Sequence, residues 1–377
     1  YFSGCLTISP TVAKRMYFRV SADVAIFNKK YTALSPIAVV DAAERFSQSE
    51  CSAIVGLQSK VKSDALAAIA SGTDRKVAAA DAVTALKADA TVAEAGVSPA
   101  GFAVWVRYKT GRFGGLNLAP PGYRAGGGVP GAGYTSALPT HSVGTRRGLL
   151  IAPAAAEFQT GKPAGDGDEA VYASEALKAR ECPPFQVDDA VGNDALLYWY
   201  RNIWQYGLIA MTGHGDVLFN GMDPAAAAAT NWEHTGAQEV MWSGEKVVCS
   251  NIAASSKSCS SDASCSAGQE CVKTSAKSGV CVDYTQGDIM AGRVVIGADT
   301  YGILPAFFQR HMRQDMPGSI VYLGACRTLW NGSIAVQLVG AGAAAVVGYS
   351  NYITNDFGWE RGKAFFKAII DESDSVL

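Results

Sequence analysis

Short apolar runs alternate with helical patterns in the second half of the chain, and this alternation restricts the fold more than any other feature. The runs are continuous rather than mixed with polar residues, as is typical of strands buried on both faces. They lie at 148–152, 206–212, 293–297, 319–324 and 343–349. Helical spacing lies between or after them, at 169–180, 194–202, 304–315, 333–339 and 356–371. The pattern predicts an α/β fold with a mainly parallel sheet and helices on both faces.

The first 118 residues mix helical and strand signals, and we interpret them as a separate N-terminal α+β domain without an assigned role. Ser35-Pro36 opens a helical pattern that runs to Phe46, and a second helical stretch lies at 63–69. The segment 101–111, GFAVWVRYKTG, alternates like a strand that ends in a turn. Residues 119–145 are rich in Gly and Pro and are predicted to be a linker.

The α/β domain is expected at 146–377, with an insertion at about 217–290. The formal net charge is −2, so there is no electrostatic argument for binding nucleic acid or an anionic membrane surface. No stretch of about eighteen apolar residues exists, and no transmembrane segment is predicted. No motif asks for a cofactor or a metal, and the oligomeric state is not predicted.

Four of the nine cysteines lie in a polar segment, the Cys-rich module 259–281: Cys259, Cys265, Cys271 and Cys281. Zinc sites usually supply their ligands as close pairs, and spacings of five, five and nine intervening residues fit zinc poorly. Disulfides are the interpretation that we favour, and the segment also resembles the short Cys-rich modules of secreted proteins. Disulfides indicate an oxidising compartment, so we expect an extracellular, periplasmic or cell-surface protein.

The remaining cysteines supply two more bridges and one reduced thiol. We expect the bridges to come from Cys5, Cys51, Cys182 and Cys249, because nine is odd and Cys326 alone lies in an apolar strand followed by a turn and a helix. The alternative for Cys5 is lipid attachment, since Phe2-Ser3-Gly4-Cys5 loosely resembles a bacterial lipoprotein processing site.

Two of the apolar runs end in residues that can do chemistry. MTGHGD places His214 after one run, and YLGACRT places Cys326 after another. Sites in open parallel sheets form beyond the carboxyl ends of the strands, so the two side chains are expected to meet there. A thiolate can attack a carbonyl carbon, an imidazole can protonate the leaving group, and the Gly215 N–H can face an oxyanion.

Ordinary structural roles compete with this interpretation. A cysteine at a strand end is more often a core residue than a nucleophile, and a single His-Gly pair is a weak signal. The acidic run Asp166 to Glu169 could bind calcium, but a solvated turn and helix start is the reading that we favour.

The two strand-end motifs together resemble the caspase-like cysteine peptidases of clan CD. MTGHGD and YLGACRT, with the VGAGAAAVVGYSNYITNDFGWERGKAFF that follows, look most like the gingipain-type and CHAT-domain branches. RRGLLIAPAAAEF looks like the first strand and loop of that family, so the resemblance covers about 146–377. It implies that Cys326 is the nucleophile and His214 the general acid/base, and that the backbone N–H groups of Gly215 and Cys326 form the oxyanion hole.

The resemblance also implies a substrate, a peptide or protein, bound along the loop that contains Ser350, Asn351 and Tyr352. Some relatives that cleave after basic residues carry an acid two positions before the cysteine, where this chain has Gly324. Cleavage after Arg or Lys is our expectation, with Asp356 or Asp216 as the carboxylate. The alternative function is a binding or structural surface protein with a degenerate caspase-like fold.

Overall fold

The computed structural model describes residues 46–120, 143–163, 166–180, 184–221, 237–252, 257–273, 278–312 and 316–370, with the backbone of four strands between 15 and 41. The strands, in chain order, are β1 Arg15–Phe18, β2 Ser21–Ile26, β3 Lys29–Leu34, β4 Ala38–Asp41, β5 Val92–Val97, β6 Ala103–Tyr108, β7 Phe113–Asn117, β8 Arg147–Ala152, β9 Gln186–Val191, β10 Leu208–Thr212, β11 Gly215–Leu218, β12 Gln238–Lys246, β13 Ser258–Cys259, β14 Gln269–Lys273, β15 Gly279–Asp283, β16 Val294–Gly297, β17 Thr300–Ile303, β18 Ile320–Gly324 and β19 Ala345–Gly348.

The α-helices of the described residues, again in chain order, are α1 Gln48–Ala70, α2 Arg75–Lys87, α3 Ala155–Gln159, α4 Glu169–Ala179, α5 Leu197–Arg201, α6 Tyr284–Met290, α7 Pro305–His311, α8 Ser333–Gly340 and α9 Asn355–Ile370. Their starts carry ordinary capping signals: the Asp74 and Asp168 carboxylates accept backbone N–H groups of α2 and α4, and Pro305 opens α7. Within the described ranges, none of the helices has the length and apolar character needed to cross a membrane.

A five-stranded parallel sheet has the order β19-β18-β10-β8-β9. The chain adds β9 on one side of β8 and then continues from β10 on the other side, so the strand order reverses between β8 and β10. Alternate residues such as Leu150, Ala210 and Tyr322 pack with α4 and α9 in one apolar cluster. The intervening residues, such as Ile209 and Val321, are also buried, so the three central strands are covered on both faces as predicted, whereas the edge strands β9 and β19 are partly exposed.

A second sheet has seven strands in the order β11-β12-β17-β16-β7-β6-β5. Its pairs are antiparallel, except that β16 and β7 run parallel. RVVIG was expected in the parallel sheet, but Val294–Gly297 form β16 of this second sheet, between β17 in a hairpin and β7, which is distant in sequence.

The chain divides into two compact units, and the division differs from the boundaries expected from sequence. One unit is Ser52–Val248 with Gly292–Leu377, and the other is Tyr1–Cys51 with Cys249–Ala291. No domain boundary lies at 118, because β5, β6 and β7 belong to the seven-stranded sheet, in which β7 pairs with β16. Likewise β12 lies in that sheet, so the insertion that forms part of the smaller unit begins at Cys249 rather than near 217. Most of the expected linker, at 121–142, lies outside the described residues.

The smaller unit contains two-stranded pairs β1-β4 and β2-β3 and the three-stranded sheet β13-β15-β14. The helix expected from residue 37 to Phe46 is wrong at 38–41, where β4 pairs with β1. Val39 and Val40 favour a strand once a partner is present, and sequence periodicity could not reveal that partner.

Three disulfides join Cys51 to Cys249, Cys259 to Cys271 and Cys265 to Cys281. The expectation of disulfides in the Cys-rich module is therefore confirmed. The expected partnership of Cys51 and Cys249 in bridges is also confirmed, whereas Cys5 and Cys182 lie outside the described residues. Among the described cysteines, Cys326 is the one outside a disulfide, and it is buried.

Candidate functional site

His214 and Cys326 follow neighbouring strands at the same height. β10 and β18 pair in parallel with Thr212 opposite Gly324, and His214 and Cys326 each lie two positions beyond that pair. The Gly213 N–H donates to the Gly324 carbonyl oxygen at 3.3 Å, which continues the pairing past the strands. The reversal of strand order lies between β8 and β10, and sites in open parallel sheets usually form at such a reversal.

Glycine at position 215 allows the two strand ends to approach closely. A Cβ there would overlap the carbonyl oxygen of Cys326 and lie 3.2 Å from the Ala325 Cβ. Gly215 is the first residue of β11, where it pairs with Met241, and the Trp242 N–H donates to the His214 carbonyl oxygen at 3.0 Å. The main chain around His214 is therefore fixed on both sides.

Glu157 is a partner of His214 that the sequence analysis missed. Its Oε2 lies 3.0 Å from the His214 Nε2, and the imidazole also packs against Phe158 with ring centroids 5.4 Å apart. Both residues belong to α3, directly after β8. Three adjacent strands, β8, β10 and β18, thus supply Glu157, His214 and Cys326 from their carboxyl ends. The sequence contains a signal for this contact, because Glu157 lies in AAAEF, shortly after the apolar run GLLIA. A carboxylate that follows a third parallel strand can be expected beside the ends of the other two.

Cys326 is fully buried, with 0% of its surface exposed. Its S–H donates to the Ile353 carbonyl oxygen at 3.6 Å, and the Ile353 N–H donates to Sγ at 3.4 Å. Tyr352 and Ile353 form an apolar cluster around it, together with the partly buried Ala100 and Phe102.

The expected substrate loop lies beside Cys326. Asn351 accepts the Arg327 N–H at 3.2 Å through its carbonyl oxygen, while Ser350 is exposed. The Tyr352 hydroxyl donates to Asp216 Oδ1 at 2.6 Å, and the Arg327 guanidinium lies 4.0 Å from the Tyr352 ring centroid. The structure therefore brings together all the expected residues of this loop except Ser350, for which the described contacts show no partner in the site.

The two candidate specificity carboxylates have different surroundings. Asp216 is buried and accepts the Val217 N–H at 2.7 Å in addition to the Tyr352 hydroxyl. Burial raises the pKa of its carboxyl, although hydrogen bonds from Tyr352 and Val217 and the charge of Arg327 act in the opposite direction. Asp356 is 70% exposed, lies in the first turn of α9 and forms an ion pair with Lys162.

Two further carboxylates lie beneath the strand ends. Asp168 accepts the Thr212 hydroxyl at 2.9 Å, and Glu169 accepts the Tyr322 hydroxyl at 3.1 Å. The expected helix start at Asp166 to Glu169 is correct, but the description of it as solvated is wrong, because Asp168 and Glu169 are both 0% exposed. A Cβ on Gly324 would clash with the Glu169 carboxylate, so this side chain fills the space above Gly324.

Comparison of the chain with protein-family models, with curated proteins and with solved structures finds no match.

Proposed function

We propose that the chain is a caspase-like cysteine endopeptidase, secreted or held at a cell surface, that hydrolyses peptide bonds through Cys326 and His214. The observation that carries the proposal is the placement of these residues, in register, at the ends of two neighbouring parallel strands. Glu157 adds support, because a carboxylate beside an imidazole fixes its orientation and stabilises the imidazolium that forms during acyl transfer.

The proposed reaction proceeds in two steps. The Cys326 thiolate attacks the substrate carbonyl carbon, and His214 gives a proton to the leaving amine as the C–N bond breaks. His214 then takes a proton from water, which hydrolyses the thioester and releases the acid. The N–H groups of Gly215 and Cys326 are assigned to the oxyanion.

Cleavage after Arg or Lys is the specificity that we propose. A basic side chain in a desolvated pocket needs a carboxylate, and Glu169 now joins Asp216 and Asp356 as a candidate because it occupies the space above Gly324. A positional peptide library separates the three through Glu169→Gln, Asp216→Asn and Asp356→Asn. A parent preference for acidic, small or apolar residues would reject the proposed specificity.

The proposed activity is tested with Cys326→Ala and His214→Ala on a protein substrate and on the same library. Both variants should lose hydrolysis, while His311→Ala, whose ring lies against Phe307 outside the strand ends, should keep it. Parent-level hydrolysis by Cys326→Ala would reject the mechanism.

A binding or structural protein without turnover is the second candidate function. The complete burial of Cys326 favours it, since a nucleophile must be reached by its substrate. Lack of hydrolysis by the parent protein, together with a thiol that stays inaccessible under all conditions, would support this second function.

A further inference from the structure

The segment Asn351–Ile353, which we call the strap, covers the Cys326 thiol. Both backbone polar groups of Ile353 bond to Sγ, and the adjoining Tyr352 side chain packs in the same buried cluster. His214, by contrast, keeps 16% of its side chain exposed. Of the two residues, the histidine is reachable from solvent and the cysteine is covered.

The covering contact uses the sulfur both as a donor and as an acceptor. A thiol that donates to the Ile353 carbonyl oxygen carries its proton, whereas the thiolate is the form that attacks carbon. A substrate carbonyl cannot approach Sγ while the Ile353 peptide group lies against it. The strap therefore blocks the sulfur sterically.

The strap is held in place by contacts between Tyr352 and residues of other segments. The Tyr352 hydroxyl bonds to Asp216, two residues after His214, and the Arg327 guanidinium lies over the Tyr352 ring. Phe102 meets the same ring edge-on, with centroids 6.0 Å apart. Asp216 and Arg327 closely follow His214 and Cys326 in the chain, so the Tyr352 side chain joins the strap to the segments after both β10 and β18.

We propose that the strap is an autoinhibitory contact that keeps Cys326 closed in the resting protein and that opens when the bond between Tyr352 and Asp216 breaks. The inhibitory meaning of the contact rests on the proposed function, but the closure itself does not. In the open form, Cys326 Sγ loses its bonds to Ile353 and becomes accessible to a substrate carbonyl carbon.

The test measures the rate at which iodoacetamide alkylates Cys326 in the native protein, followed by mass spectrometry of the Cys326 peptide. Tyr352→Phe removes one hydroxyl and should raise the rate about three- to tenfold, in proportion to the loss of one buried hydrogen bond. Wild-type protein should react far more slowly than the denatured chain.

Tyr206→Phe is a closely matched control. The Tyr206 hydroxyl also donates to an aspartate, Asp188, at 2.8 Å, and an arginine, Arg147, lies 4.5 Å from its ring centroid. Tyr206 precedes β10 and so lies at the opposite end of that strand. This variant should alkylate within about twofold of wild type. Thermal unfolding of both variants shows that the fold is retained.

Three outcomes would overturn the strap: a wild-type rate equal to that of the denatured chain, an unchanged rate in Tyr352→Phe, or an equal acceleration in Tyr206→Phe. Alkylation requires no peptidase activity, so failure of the proposed function is seen separately. Accelerated alkylation in Tyr352→Phe without peptide hydrolysis would leave the closure standing and reject the peptidase.

Discussion

At the scale of single residues, the contact between Glu157 and His214 is the observation that best supports the proposed role of the histidine. Glu157 is 39% exposed, so its carboxylate need not be buried to hold the imidazole. A single contact between an imidazole and a partly exposed carboxylate contributes little to stability, so a purely structural purpose explains it poorly. The contact does fix the orientation of the imidazole ring, which a general acid/base requires.

Replacement of Glu157 by Gln should therefore reduce kcat while leaving stability nearly unchanged. We expect a loss of about tenfold or more, because a misoriented general acid loses much of its contribution. Steady-state kinetics with thermal unfolding measures both effects, and Glu360→Gln, an exposed residue of α9, is the control. A kcat equal to that of the control would show that Glu157 has no part in the reaction.

The raised pKa of Asp216 leads to a prediction about how the free energy of unfolding depends on pH. Because burial raises the pKa of its carboxyl in the folded protein, the folded state keeps a proton at pH values where the unfolded chain, with a pKa of about 3.9, has lost it. The stabilisation from this group is therefore complete below about pH 4 and is lost as the pH rises through the raised folded pKa.

Denaturant unfolding of the wild type and of Asp216→Asn across this pH range measures the effect. The difference in free energy of unfolding, wild type minus variant, should fall as the pH rises, because Asn cannot titrate. A difference that stays constant or grows with pH would contradict the raised pKa.

At the scale of elements, one buried carboxylate joins β12 to the start of α8. The two oxygens of Glu239 accept the N–H groups of Asn331, Gly332 and Ile334 and the hydroxyl of Ser333, at 2.8 to 2.9 Å. Glu239 itself is 0% exposed. It caps α8 from β12 of the seven-stranded sheet, whereas helices are usually capped by their own N-cap residue.

Glu239→Gln should lower the free energy of unfolding by about 2–3 kcal/mol, because the amide N–H₂ faces donors and leaves buried groups unpaired. Glu175→Gln, at an exposed position of α4, should change it by less than about 0.5 kcal/mol. Denaturant unfolding at pH 7 compares the two. Equal changes in the free energy of unfolding would mean that the buried hydrogen bonds of Glu239 contribute nothing to stability.

The elements themselves were partly predictable. The parallel strands β8, β10, β18 and β19 and the helices α4, α8 and α9 follow local apolar patterns, so their positions could be predicted from sequence. β4 and β16 could not be placed, because each depends on a partner strand that is distant in sequence, β1 and β7 respectively. Pairing energy between strands is non-local, and sequence periodicity does not record it.

At the scale of the whole molecule, the cysteines of the described residues define a covalent framework with one thiol, Cys326, outside it. Alkylation of the denatured, unreduced protein should mark Cys326 and none of the six cysteines in the three bridges. Peptide mapping without reduction should recover the pairs 51–249, 259–271 and 265–281. Labelling at any of these six positions, or zinc bound to the Cys-rich module, would contradict the framework and the oxidising compartment.

The long-range bridge should be the most stabilising of the three. Cys51 and Cys249 are 198 positions apart, whereas the other pairs are 12 and 16 apart. In the chain-entropy account, the longer loop contributes about 5 kcal/mol and the shorter loops about 3 kcal/mol each. Unfolding of double Cys→Ser variants ranks them, and a smaller loss for the 51–249 pair would contradict this account.

The sequence by itself determined the parallel-sheet class, the disulfide character and the two residues at strand ends, because each is written in a local pattern or in a count. Only the tertiary structure decided the strand order, the partnership of Glu157 with His214, the burial of Asp216 and the closure of Cys326 by Ile353. These features join segments that are far apart in the chain. Their energies arise from contacts that exist only after the strands have paired, so no single stretch of sequence contains them.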